Sequence, residues 1–239
     1  MADGGAPPAG SALAHLPAQL RFWIILIAAL AFDLWSKAWA FSALGPHEEY
    51  QAIPGWLMFR RSLNDGAVFG SFTGQVGLFI VASIFALIFV FHLFSRSHPR
   101  AWVLHTALAL ILAGALGNLY DRAFMKADVV RDPGGRGTMM IGRLVEREGD
   151  SLLVGEWPEG SNVQSFREEN VLLVRQGVVR DFIKFEPVFP KWVPRLGGSD
   201  VWPWVFNIAD SALVCGVIIL LLTSGLDRHK PTPAATGAA

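Results

Sequence analysis

The chain has 239 residues, 52% of them hydrophobic and only 17% charged, with 9 Trp and a mean hydropathy of +0.40, a balance found in membrane proteins rather than soluble domains. Lys+Arg and Asp+Glu stand at 20 each, so no basic surplus points to nucleic acid, and no nucleic-acid partner is expected. The one cysteine, Cys215, cannot by itself make an internal disulfide or a Cys-based metal site; lying in an apolar run, it reads as a buried apolar side chain.

Residues 1–19 are rich in Ala, Gly and Pro without hydrophobic periodicity, a composition that predicts a disordered cytoplasmic tail. The run 22–43 follows Arg21 and resembles a signal peptide at its start, but its length favours a spanning helix. Further spans are predicted over 76–94, 101–119 and 201–222, each near the roughly 20 residues that cross a bilayer. Arg96 and Arg100 fall between the second and third spans, Arg21 precedes the first, and Arg228 and Lys230 follow the fourth. These basic flanks put both termini and that short loop in the cytoplasm, although Arg60 and Arg61 run against the rule.

Residues 121–200 are then extracytoplasmic. Within them, 138–145 and 151–157 read as strands around the turn 146–150, with a third strand over 170–175. The expected fold class is an all-α membrane protein of four transmembrane helices with an extracytoplasmic β-rich insertion between spans three and four. Its divisions are a tail (1–19), spans one to three with an outer loop (20–125), the insertion (126–176), a catalytic segment with span four (177–226) and a second cytoplasmic tail (227–239).

An antiparallel bundle of this kind brings the end of span one, the start of span two, the end of span three and the start of span four to the outer side. Polar residues gather there. Asp33 and Lys37 share a face at i,i+4, Asn64 and Gly66 precede span two, Asn118, Asp121 and Arg122 end span three, and Asn207 and Asp210 open span four. A carboxylate inside a span costs roughly 2.5 to 3.5 kcal/mol on insertion scales, which makes Asp210 functional by default. Blander readings exist: Asp33 with Lys37 as a neutralising pair with a snorkelling lysine, Asp121 with Arg122 as an interfacial anchor, His92 and His105 as packing residues, and the tryptophans as an interfacial belt. Two carboxylates at one apolar site cannot both ionise cheaply. One then takes a proton from water while the other hydrogen-bonds a scissile carbonyl, which is aspartic protease chemistry.

Five stretches carry a resemblance: Asp33-Leu-Trp-Ser-Lys37, Asn64-Asp-Gly-Ala-Val-Phe-Gly70, Gly114-Ala-Leu-Gly-Asn-Leu-Tyr-Asp-Arg122, Val178-Val-Arg-Asp-Phe-Ile183 and Phe206-Asn-Ile-Ala-Asp-Ser211. In this order, across all four spans, they resemble the lipoprotein signal peptidase (signal peptidase II) family of bacterial membrane aspartic proteases. The resemblance implies cleavage of diacylglyceryl-modified prolipoproteins just before the lipidated cysteine, without a covalent intermediate. It implies catalytic roles for Asp181 and Asp210, with Asp33, Lys37, Asn64, Gly66, Asn118, Asp121, Arg122, Asn207 and Ala209 lining or supporting the site. No metal or organic cofactor is implied; membrane lipid and the antibiotic globomycin are expected ligands, a monomer is expected, and the location is the inner membrane with the site at its outer face.

Two departures stand out. About sixty positions separate Asp121 from Asp181 where the family has only a few, the excess being the insertion, which is expected to tune access or partner binding without supplying catalytic groups. Arg180 replaces an apolar residue before Asp181, where its charge is expected to lower the carboxylate's pKa. Asp121 is the rival of Asp181 for the dyad, but its neighbours Arg122 and Asn118 suit a fixed ionised anchor. A proton-coupled transporter using Asp33, Lys37 and Asp210 would call for half-repeats or broken spans, and a non-catalytic lipoprotein-binding scaffold for a lost aspartate; the sequence displays none of these.

Overall fold

The computed structural model describes residues 10–66, 76–134 and 137–227. Long apolar runs become four helices: α1 (Leu16–Ala43), α2 (Val76–Arg96), α3 (Trp102–Phe124) and α4 (Ile208–Asp227). Pro17 sits in the first turn of α1, where its missing N–H costs nothing. At one end of the helices Phe22 stacks on Phe94 at 4.4 Å, and Leu26, Val90, Leu108 and Leu112 complete a core. Arg21 Nη2 donates to the Pro99 carbonyl at 2.9 Å, so the start of α1 lies beside the α2–α3 loop and the helices run antiparallel. Among the described residues, α1 and α3 are long and apolar enough to cross a membrane, while 80–96 and 208–223 form shorter apolar stretches. Large apolar side chains such as Ile24, Ile27, Phe85, Ile88, Ile218 and Leu221 face outward, more than a water-exposed surface carries without purpose.

At the other end the chain is β-structured, and the all-α expectation is wrong. A four-stranded antiparallel sheet has the order β1-β2-β8-β9, from β1 (Glu49–Ile53), β2 (Leu57–Asn64), β8 (Val179–Phe185) and β9 (Val205–Phe206). A five-stranded antiparallel sheet has the order β6-β5-β4-β3-β7, from β3 (Lys126–Arg131), β4 (Thr138–Glu148), β5 (Ser151–Glu156), β6 (Ser161–Arg167) and β7 (Leu172–Gly177). The physical reason is backbone accounting: segments that leave the helices at a half-buried surface must pair their N–H and C=O groups, and here they pair with each other. Ser62 lies opposite Asp181 and Asn64 opposite Val179 in the β2–β8 ladder, and Ala40, Phe41 and Leu44 at the end of α1 pack on Phe182 and Ile183.

Other expectations shift. The N-terminal tail is ordered from residue 10: Ala12–Ala14 form a 3-10 turn, and Ala12 N donates to the Ser97 carbonyl at 2.9 Å with Ala12 fully buried. Residues 1–9 and most of the second tail (228–239) fall outside the described residues, as do Ala67 to Gly70 of the second motif. Span four starts at Ile208 rather than 201, because Val205 and Phe206 form β9 ahead of it. The predicted turn at 146–150 narrows to Gly149 and Asp150. Cys215 is exposed, not buried: it lies on the outer face of α4, where an apolar residue is covered by surroundings other than this chain.

Candidate active site

Three helices, α1, α3 and α4, and two strands, β2 and β8, meet where both sheets join the helical frame. Asp33 and Lys37 of α1 form an ion pair at 2.9 Å, Lys37 fully buried and Asp33 nearly so. A buried ammonium and carboxylate are tolerable only when paired and hydrogen-bonded. Lys37 Nζ also donates to Asn118 Oδ1 at 3.0 Å and lies 3.6 Å from Asp121 Oδ2. Asp33 Oδ1 accepts from the backbone N–H of Ala209 at 2.8 Å, which ties α1 to the first turn of α4. A Cβ at residue 117 would collide with the Asp33 carboxylate, so glycine there lets α3 close on α1.

Asn207 opens α4. Its Oδ1 accepts from Asp210 N at 3.0 Å, and Asp210 Oδ2 accepts from Asn207 N at 3.2 Å. This reciprocal pair is a capping box built from Asn and Asp. Asn207 Nδ2 reaches across to Asp181 Oδ1 at 2.6 Å and to Asn118 Oδ1 at 3.1 Å. Asn118 Nδ2 donates to Asp210 Oδ1 at 2.7 Å, and Asn64 Nδ2 to Asp181 Oδ2 at 3.2 Å. Gly66, at φ +105°, donates its N–H to Asn64 Oδ1 at 3.0 Å, fixing that amide. Each of the two aspartates is thus held by side-chain amides, and Asn207 touches both.

Asp181 and Asp210 line one cavity of about 320 Å³ together with Ser62, Asn64, Trp202 and Trp204. An almost wholly apolar cavity of about 410 Å³ shares Trp202, Phe206 and Asp210 with it. Burial first, and then the charge of Asp210, pushes the Asp181 carboxyl up from 3.8 to about 8. Arg180 does not pull it down. Successive side chains of a strand leave opposite faces, and Arg180 turns to Asp121, donating from Nη2 to Oδ1 at 2.7 Å and from its backbone N to Oδ2 at 3.0 Å. Arg122 is buried, and its charge acts on Asp210, Asp181 and Asp121.

The structure therefore brings Asp33, Lys37, Asn64, Gly66, Asn118, Asp121, Arg122, Asn207 and Ala209 to the neighbourhood of Asp181 and Asp210. Sequence reasoning missed Ser62, Trp202 and Trp204 in the cavity wall and Asp65 beside Asn64. Asp65 had a signal, its place inside a recognised motif; Ser62 and the tryptophans had none without the β2–β8 pairing. No cluster of three or more His, Cys, Asp or Glu fit for a metal ion occurs among the described residues.

The model of a family described as Signal peptidase (SPase) II matches residues 25–226, which makes the chain a protease, and one of the aspartic type. The lipoprotein signal peptidase of Rhodopirellula baltica is 32% identical over 246 residues, covering 98% of this chain and 87% of that one. That of Streptomyces coelicolor is 30% identical over 205 residues, covering 85% of this chain and 70% of that one. A solved bacterial membrane enzyme superposes with a TM-score of 0.57 at 20% identity, covering 90% of this chain and 94% of that one, a likeness of fold. The chain belongs to the signal peptidase II family. Its activity is the removal of signal peptides from lipoproteins.

Proposed function

We propose that Asp181 and Asp210 are the catalytic dyad, and that the enzyme cleaves diacylglyceryl-modified prolipoproteins just before the lipidated cysteine. The observation that carries this reading is that the two aspartates line one cavity, each on amide donors, while Asp121 is engaged by Arg180 and Lys37. A water between the dyad gives a proton to Asp210 as its oxygen attacks the scissile carbonyl carbon, and Asp181 gives its proton to the carbonyl oxygen. The tetrahedral intermediate then returns a proton to Asp181 as the C–N bond breaks, and Asp210 delivers its proton to the leaving amine. No covalent adduct with the enzyme forms, and no cofactor is needed. The adjoining apolar cavity suits the substrate's acyl chains.

In detergent-purified enzyme with a diacylglyceryl prolipoprotein, Asp181→Asn and Asp210→Asn should each lower the cleavage rate by several orders of magnitude, on the scale of other lost proton-transfer groups. The acid form of Asp181 is the active one, so kcat/KM should fall as pH rises through about 8. Near-parental cleavage by either variant would refute the dyad. We place the site at the outer face of the inner membrane with both termini cytoplasmic, because Arg21 and the α2–α3 loop lie at the end of the helices opposite the dyad. A reporter fused after Gly160 that reads cytoplasmic would reverse this.

A further inference from the structure

Asn64 holds Asp181, and what holds Asn64 comes from the insertion. The next residue, Asp65, is 4% exposed, borders the dyad cavity and gives its carboxylate to donors of the five-stranded sheet. Thr138 Oγ1, on β4, donates to Asp65 Oδ2 at 2.7 Å, and Arg131 Nη2, on β3, donates to the same oxygen at 3.3 Å. Gln176 Nε2, on β7, donates to the Asp65 backbone carbonyl at 3.3 Å, and its Oε1 accepts from Arg131 Nη2 at 3.0 Å. Three strands of the five-stranded sheet therefore converge on the residue that follows the end of β2, through its side chain and its backbone. Arg131 and Gln176 are themselves buried.

We infer that Arg131, Thr138 and Gln176 are positioning residues for the reaction: by clamping Asp65 they fix the Asn64 amide on Asp181, so the insertion is a working part of the active site rather than an appendage. This rests on the dyad reading above. The insertion is already joined to the body covalently at both ends, through α3 and through β8, so attachment alone does not call for a third junction. A carboxylate and a guanidinium buried together cost several kcal/mol in desolvation unless geometry and further hydrogen bonds offset it, and this set supplies both around the peptide that carries Asn64. Asn64 sits at the end of β2, where its pairing with Val179 is the last of the described ladder. Apart from the clamp, the described residues that hold its amide are Gly66, which donates to Oδ1, and Asp181 itself.

The consequence is specific. The hydrogen bond from Asn64 lowers the proton affinity of Asp181 against the upward push of burial. A loosened Asn64 therefore moves the alkaline limb of kcat/KM to higher pH and lowers kcat by misplacing the acid. Substrate binding elsewhere is untouched.

The experiment compares Thr138→Val and Gln176→Leu, which keep the shape of the clamp, with Arg131→Ala and Arg131→Lys, in the detergent-purified full chain with a diacylglyceryl prolipoprotein. Thr138→Val and Gln176→Leu should each lower kcat about tenfold, the scale of one charge-linked hydrogen bond, with KM unchanged and the alkaline limb displaced upward. Arg131→Lys should recover part of what Arg131→Ala loses. Adding Thr138→Val to Asn64→Ala should cause no further displacement, because both act through the same amide. Parental kcat and pH profile in Thr138→Val and Gln176→Leu, or a displacement additive with Asn64→Ala, would overturn the inference, as would lowered thermal stability with kinetics intact. Asp181→Asn is assayed alongside: if it is inactive and the clamp variants are parental, only the clamp fails; if it is active, the dyad reading fails and the clamp falls with it.

Discussion

In the five-stranded sheet every strand lies between Lys126 and Gly177, and consecutive strands mostly pair through short turns; in the four-stranded sheet, β2 and β8 pair although more than a hundred positions separate Asn64 from Val179. The polar residues of the two sheets differ as well. On β5 and β6 they face water or the sheet edge, whereas β8 is buried along nearly its whole length while carrying Arg180, Asp181 and Lys184. Each of those three finds a partner outside its own strand: Asp121, the Asn64 and Asn207 amides, and Asp200. On the dyad reading, reactivity belongs to the sheet assembled from distant pieces, where the apolar end of α1 packs on the strand that carries Asp181 and excludes water from it.

The largest effect should come from Asn207, whose side chain donates to the Asp181 carboxylate and accepts from the Asp210 backbone N–H. Asn207→Ala removes the donor to Asp181 and the acceptor that caps α4. We expect kcat to fall by roughly 10² to 10³, as when a preorganised donor is deleted from an active site, and stability to fall by about 1 kcal/mol from the lost cap. Asn207→Ser, which can still cap, should restore the stability but not the rate. A rate within threefold of the parent in Asn207→Ala would mean that the shared amide does not organise the dyad, and the contrast between the sheets would lose its centre.

Asp121 joins the reactive sheet to α3 without entering the cavity. Asp121 is fully buried, and Arg180 is largely so. Removing one partner leaves a buried charge uncompensated, so Asp121→Asn should cost about 3 to 5 kcal/mol of stability, read as a lowered thermal midpoint in detergent. The fraction that remains folded should retain most of its specific activity. Asp121→Leu combined with Arg180→Leu should regain much of the stability, since a buried ion pair and an apolar pair of like volume are often nearly equivalent. A stably folded but inactive Asp121→Asn would move Asp121 into the dyad.

The same contrast explains what could be read in the sequence. Apolar runs of span length announce α1 to α4, and the alternation of Met140, Gly142 and Leu144 announces the insertion, because local pairing leaves a local signature. Strand β6 escaped since its residues are polar and exposed, and β3 since its short run adjoins the end of α3. The four-stranded sheet left almost no trace: β2 holds Arg60, Arg61 and Ser62 in succession, and β8 reads as a solvated segment until its remote partners are known. The site residues were legible through motif spacing and resemblance, but their geometry was not. Arg180 illustrates the gap, since adjacency in sequence predicted an effect on Asp181 that strand alternation directs to Asp121 instead.

The smallest effect tests whether disturbance in the locally built sheet stays local. Gly149 opens the β4–β5 hairpin turn at φ +56°, with open space around the position of a Cβ. Gly149→Ala therefore meets no neighbour, and its whole cost is the left-handed backbone, about 1 to 2 kcal/mol for a non-glycine residue, reduced a little by the lower entropy of the unfolded chain. The turn lies at the far end of β4 from Thr138, whose partner across the ladder is Arg131, while Gln176, opposite Ala127, lies level with the middle of β4. We expect faster amide hydrogen exchange in β4 and β5 around the turn, with kcat, KM and the alkaline limb all parental. Should Gly149→Ala displace the pH profile as Thr138→Val does, strain would be crossing the length of the five-stranded sheet, and the two sheets would have to be treated as one mechanical unit rather than as a reactive sheet clamped at a single residue.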